Sequence, residues 1–171
     1  DAAKDGIDTV VTCDNGIAAA AQIAYGRQLG LTVVVTDHHE IPYEEGEDGS
    51  RMYLLPEAAA VVDPKREDCG YPCKNICGAV VAYKLVQQLL EEYGKKEILE
   101  ELLEIAAFAT VCDLMELKDE NRIIVKCGLK NMRHTKNLGL KALMEVCGIE
   151  AEKVSAYHIG FILGPCMNAT G

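Results

Sequence analysis

Leu31-Thr32-Val33-Val34-Val35, followed at once by Thr36-Asp37-His38-His39-Glu40, is a short β-branched run that ends in an acid and two histidines. Its length, its composition and its bracketing by Gly30 and a polar cluster predict a buried strand over residues 31–36. A similar run, Ile7 to Thr12, predicts a strand over 7–13 and ends in Cys13-Asp14-Asn15-Gly16. Between the two lies one helix length of chain, 17–29. There Ile17, Ala20, Ala21 and Ala24 recur at helical spacing, and Gly30 is placed to follow the C-cap. Strand, helix, strand in this order predicts a parallel pair with a right-handed crossover. Ligands of open parallel sheets bind beyond the carboxyl ends of the strands, so Asp14 and Asp37 are expected at one rim. Neighbouring strands lie roughly 5 Å apart, and strands separated by one other about 10 Å, close enough for such side chains to share a cation.

Downstream, residues 40–57 read as a long polar connection with Gly46-Glu47-Asp48-Gly49-Ser50 as its mobile tip. Ala58 to Val62 reads as a third strand closed by Asp63-Pro64, and 65–75 as turns. The remainder is helical. Ala82, Leu85, Val86 and Leu89 make one face, stopped by Gly94; Leu99, Leu102, Leu103 and Ala106 make another; Val125, Gly128, Leu129 and Met132 a third. Short helices are expected at 138–147 and 152–162. The fold class is therefore α/β, a parallel sheet flanked by helices with a helical C-terminal half: an α/β part over 1–64 and a mainly helical part over 65–171.

The 171 residues suffice for a substantial core. Seventeen Lys and Arg stand against 27 Asp and Glu, a formal charge of −10, which argues against an extended phosphate-tracking surface on this chain. No apolar run is long enough for a membrane helix, and no leader opens the chain. Cys112, Cys127 and Cys147, among eight cysteines, sit inside apolar helical patterns, which favours reduced thiols and a cytoplasmic setting over a disulfide framework. Cys69, Cys73 and Cys77 lack C-x-x-C spacing, and Gly70 and Pro72 break any single helix there, so a metal role for them is the weaker reading. Both ends look cut: Ala2 to Gly6 reads as the tail of a helix, and the chain stops within Gly164-Pro165-Cys166-Met167-Asn168-Ala169-Thr170-Gly171 as if inside a motif.

A third carboxylate, Asp113, follows the apolar stretch Ile105 to Cys112. An acid ending a buried run is costly unless it is paired, hydrogen-bonded or metal-bound. Asp14, His38 and Asp113 then make a mixed oxygen and nitrogen ligand set, better suited to Mn²⁺ than to Mg²⁺ or Ca²⁺, with Zn²⁺ also compatible. Two ions sharing a carboxylate would activate water and stabilise charge on a phosphoryl group. Each residue also has a plainer reading: Asp14-Asn15-Gly16 as a turn and helix cap, Asp37 as a cap, Asp113 as a loop residue, His134 as a solvated side chain and His158 as part of a helix. Their joint occurrence favours the site.

The motifs Val11-Thr12-Cys13-Asp14-Asn15-Gly16, Val35-Thr36-Asp37-His38-His39-Glu40, Val62-Asp63-Pro64-Lys65-Arg66, Thr110-Val111-Cys112-Asp113-Leu114, Ile159-Gly160-Phe161 and Gly164-Pro165-Cys166-Met167-Asn168-Ala169 run in the order of the RecJ-type single-strand-specific exonucleases. The chain resembles this branch of the DHH phosphoesterase superfamily along nearly its whole length. The resemblance implies that Asp14 bridges two Mn²⁺ ions and that His38 and Asp113 are further ligands. It implies that His39 contacts the scissile phosphate and that Asp37 orients the histidines or ligates directly. Asn168 lies in the motif facing the nucleic acid. The implied reaction is 5′→3′ hydrolysis of single-stranded DNA to mononucleotides in recombination and repair. The family's first Asp-x-Asp motif, its C-terminal substrate-binding domain and any oligonucleotide-binding domain are absent here, and Cys166 stands where an Arg is common. The chain alone is therefore expected to show little nuclease activity and weak Mn²⁺ binding, with DNA held mainly by the missing domains.

Three other readings bear on this pattern. A phosphoesterase of the same superfamily acting on short oligoribonucleotides, cyclic dinucleotides or pyrophosphate would share the chemistry. A non-catalytic scaffold would be marked by loss of Asp14, His38 or Asp113, and all are present. A nucleotide-binding α/β domain would need a G-x-G-x-x-G turn after the first strand, which Asp14-Asn15-Gly16-Ile17 does not supply.

Overall fold

The structure is a computed structural model that describes residues 2–94 and 98–169. Asp1, Thr170 and Gly171 lie outside the described residues. The chain folds as two compact units, Asp1–Ala82 and Tyr83–Gly171.

The first unit is built on a parallel sheet in the order β1 (Thr9–Val11), β2 (Thr32–Thr36), β5 (Ala60–Val62). Thr9 pairs with Thr32 and Val11 with Val34; Val34 pairs with Ala60 and Thr36 with Val62. Helix α1 (Ala20–Gln28) crosses between the first two strands. It ends as expected: the Gly30 N–H donates to Arg27 O at 2.9 Å and the Leu31 N–H to Gly26 O at 3.1 Å, a Schellman closure with Gly30 at φ +83°. The helix starts three residues later than the spacing predicts, and Ala20 and Ala21 are exposed. Ile23 and Gly26 are its buried positions. A helix this rich in alanine offers several equivalent faces, and the branched Ile23 selects the one that packs with Val33 and Val35.

Residues 40–57 differ from expectation. The stretch holds a hairpin, β3 (Tyr43–Glu45) against β4 (Arg51–Tyr53), with the 46–50 segment as its turn. Tyr43 faces Tyr53 with ring centroids 5.9 Å apart, and the Arg51 guanidinium lies 4.4 Å from the Tyr43 ring centre. These cross-strand contacts hold the hairpin together.

Helix α2 (Gly78–Glu92) is buried at Gly78, Val80 and Val81, while Leu89 is exposed. In the second unit α3 (Ile98–Cys112) crosses α4 (Asp119–Met132) closely. A Cβ on Gly128 would stand 2.2 Å from the Ala107 Cβ, so only glycine permits that approach. Helix α5 (Leu138–Val146) follows, capped by the Asn137 side chain. The single helix expected at 152–162 is replaced by a 3₁₀ turn, Ala151–Lys153, and a later helical course over 156–168. That course is α6 (Ala156–His158), a π turn (Ile159–Leu163) and α7 (Gly164–Asn168). Pro165 has no N–H to donate to the preceding turn, and the wider π turn accommodates it. Phe108, Met132, Leu140, Met144, Val154, Ile159 and Leu163 form the core of this unit. No helix among the described residues is long and apolar enough to cross a membrane.

Candidate metal centre

At the end of β2 the backbone hands over directly to the acid. The Asp37 N–H continues the ladder to Val62 O at 3.0 Å, and the side chain is 1 % exposed. Both carboxylate oxygens have donors. Oδ2 accepts from the Ile17 N–H at 2.9 Å; Oδ1 accepts from the His38 N–H at 2.8 Å and lies 2.6 Å from His39 Nδ1. Burial alone would raise the Asp37 pKa; the Ile17 amide, the His39 ring and the His38 and His39 amides outweigh it and hold it below the usual carboxylate value. The same contact raises the His39 imidazole above its ordinary value, against a smaller opposing effect of burial.

Asp14 approaches from β1. Its N–H donates to Thr36 O at 3.0 Å, and its backbone takes the left-handed conformation, φ +62°. The turn is tied to β2: Thr12 Oγ1 donates to Asn15 O at 2.7 Å, and Thr36 Oγ1 to Thr12 O at 2.6 Å. This geometry brings Asp14 Oδ1 within 2.9 Å of Nε2 of the buried His38. Asp14, His38 and His39 each offer a ligand atom, all within 4.8 Å of one another, and the His38 and His39 rings lie 4.5 Å apart. One carboxylate and two imidazoles suit a divalent transition metal, and small side-chain rotations bring such atoms to ligand distances of about 2.0–2.2 Å. Beside the cluster opens a cavity of about 440 Å³, lined by Asp14, Asn15, Gln22, His39 and Glu40 among others.

Two residues of this region are given no role in the site by the sequence reading. Asp63, just past β5, is 2 % exposed. Its Oδ1 accepts from the Lys65 N–H at 2.8 Å, and its Oδ2 has no hydrogen-bond partner. Burial, with a smaller contribution from Asp37, raises its pKa. The position after a strand that marked Asp14 and Asp37 would have marked it too. Gly78 opens α2 directly against Asp14: a Cβ there would lie 2.4 Å from Asp14 Oδ1 and 2.7 Å from its Cα. Close packing of this kind leaves no periodic trace.

Asp113 belongs to the second unit and is exposed. The apolar run before it is the last part of helix α3, and the acid that follows is exposed, so it does not carry the cost of a carboxylate ending a buried run. The Asp113 N–H donates to Ala109 O at 2.8 Å, and the helix closes with Leu114 at φ +56° and the Met115 N–H on Thr110 O. A leucine in that conformation is strained. Asn168 ends α7, exposed. His158 lies 3.1 Å from Ser155 Oγ, and His134 is exposed near Glu152. Among the described residues Cys69, Cys73 and Cys77 form no metal-binding group.

These motifs and this fold are shared. The pattern of the DHH family, N-terminal domain, matches residues 3–110, and the chain belongs to the DHH family. It is 40 % identical over 166 residues to the single-stranded-DNA-specific exonuclease RecJ of Bacillus subtilis, covering 97 % of this chain and 19 % of that protein. To RecJ of Escherichia coli it is 38 % identical over 177 residues, covering 97 % and 29 %. The crystal structure of exonuclease RecJ bound to manganese superposes with a TM-score of 0.77 at 28 % identity, covering 98 % of this chain and 40 % of that one. The chain thus spans 19 % and 29 % of the length of the two curated relatives named here.

Proposed function

We propose that this chain supplies part of the metal centre of a phosphodiesterase that digests single-stranded DNA in the cytoplasm, releasing mononucleotides 5′→3′. The observation that carries the reading is the convergence of Asp14, His38 and His39 at the ends of two parallel strands, with Asp37 locked behind them.

Asp14 and His38 hold Mn²⁺, with Mg²⁺ as the alternative. When bound, the metal supplies an acidified water and offsets charge on the phosphoryl oxygens. Asp37 fixes the His38 backbone and the His39 ring, leaving His39 Nε2 to face the phosphate. The Asp37 contact raises the His39 pKa, which favours the protonated ring that can donate to an anionic phosphate oxygen. Asn168 meets the nucleic acid.

Mn²⁺ titration followed by electron paramagnetic resonance tests the ligand set. D14N and H38A are each expected to weaken binding about tenfold or more relative to the unmodified chain. Unchanged affinity in both variants overturns the assignment. In a protein of the relatives' full length, H39A is expected to lose rate on 5′-phosphorylated single strands while keeping its Mn²⁺; loss of the metal as well makes His39 a ligand.

A further inference from the structure

Outside the metal centre, the second unit brings two cysteines distant in sequence side by side. Cys147 is the C-cap of α5, and its backbone is held by a closure of its own: the Gly148 N–H donates to Glu145 O at 3.0 Å and the Ile149 N–H to Met144 O at 2.9 Å. Cys166 lies within α7, and the start of that helix is wedged against α3, since a Cβ on Gly164 would meet Cys112 Sγ at 2.7 Å. Between these anchored segments the Cys147 and Cys166 sulfurs stand 3.9 Å apart. A disulfide requires about 2.05 Å, so closure needs an approach of roughly 1.9 Å, within reach of side-chain rotation.

We infer that Cys147 and Cys166 form a reversible disulfide, an oxidation-sensitive clasp that ties the end of α5 to α7. Hydrogen peroxide is the oxidant. Cys166, the exposed partner, attacks first. Its S–O bond forms as the O–O bond breaks, and the departing hydroxide takes the thiol proton as water. Cys147, half-buried and raised in pKa by that burial and by the Cys166 thiol, is the slower thiol and acts second. Its sulfur attacks the Cys166 sulfur, the S–S bond forms as the S–O bond breaks, and the leaving hydroxide takes the Cys147 proton as a second water. Two thiols lose two electrons and two protons, and the peroxide gains them. The loop so closed contains Val154, Ile159 and Leu163, all buried in the core of the unit, so the clasp braces packed structure.

The test is peptide mapping of the 171-residue chain after limiting hydrogen peroxide and alkylation of the remaining thiols. The expected product is one crosslinked peptide pair joining Cys147 to Cys166, lost on treatment with a thiol reductant. The thermal midpoint should rise by several degrees on oxidation, and C147S and C166S should show neither crosslink nor rise. A map in which Cys166 goes to sulfinic acid without a crosslink, or in which Cys166 pairs chiefly with Cys112, overturns the inference. If a serine variant fails to fold, the map of the unmodified chain still decides.

Discussion

The ends of β2 and β5 lie side by side, and each releases an aspartate one residue after its last paired position. Asp37 and Asp63 are equally buried, at 1 % and 2 % exposure, yet their pKa values move in opposite directions. The difference lies in the donors. Asp37 receives amides from Ile17, His38 and His39 and a ring nitrogen, because the chain folds back over it on both sides. Asp63 receives one amide, from Lys65, and keeps an oxygen without a partner. Burial at a strand end thus makes a charged anchor only where backbone N–H groups converge on the acid.

The largest expected effect is at Asp37. D37A leaves buried amides without an acceptor and frees the His39 ring, so unfolding free energy should fall by roughly 3 kcal/mol or more, read by urea denaturation. Mn²⁺ binding should weaken with it, although Asp37 touches no ion in the proposed centre. A D37A chain with full stability and full Mn²⁺ affinity would break the comparison, since its donors would then count for nothing.

Next in size is G78A, at the start of α2, where it packs against Asp14 beyond the end of β1. The added methyl would enter the space of Asp14 itself, and overpacking of this kind costs about 1–3 kcal/mol. Relief by displacement of Asp14 would appear as a lower Mn²⁺ affinity out of proportion to the stability lost. Unchanged affinity would show that the Asp14 carboxylate holds its place without the packing of α2.

Much of this rim was legible because the three strands of the parallel sheet are β-branched runs with polar ends, and Asp14, Asp37, His38 and His39 all sit just past such ends. Asp63 sits there as well but reads equally as the Asp-Pro of a turn; its burial comes from the chain packed around it, which periodicity does not record. Gly78 was invisible for the same reason. The hairpin was lost because its strands are only three residues each and mostly charged or aromatic, too short to alternate visibly. The run before Asp113 continues the helix whose leucines lie upstream, and periodicity alone does not show that the carboxylate emerges exposed at its end.

The smallest effect is the most discriminating. For Asp37, held below its ordinary value, the unfolded chain binds more protons, so its stabilisation is present above the unfolded value and is lost as pH falls through the folded one. For Asp63, held above its ordinary value, the folded chain binds more protons, and stability is lost as pH rises from the unfolded value through the folded one. In the unmodified chain the two act on adjoining ranges with opposite sign, Asp37 below the ordinary carboxylate value and Asp63 above it. D63N removes the second and leaves the first. Near neutral pH it should change stability by less than about 1 kcal/mol, since it deletes a poorly compensated charge and keeps the shape. On acidification it should lose stability more steeply than the unmodified chain, as followed by urea denaturation at stepped pH. An equal or shallower slope would mean that Asp63 titrates like an exposed carboxylate, and the count of amide donors would no longer account for the contrast between the two strand ends.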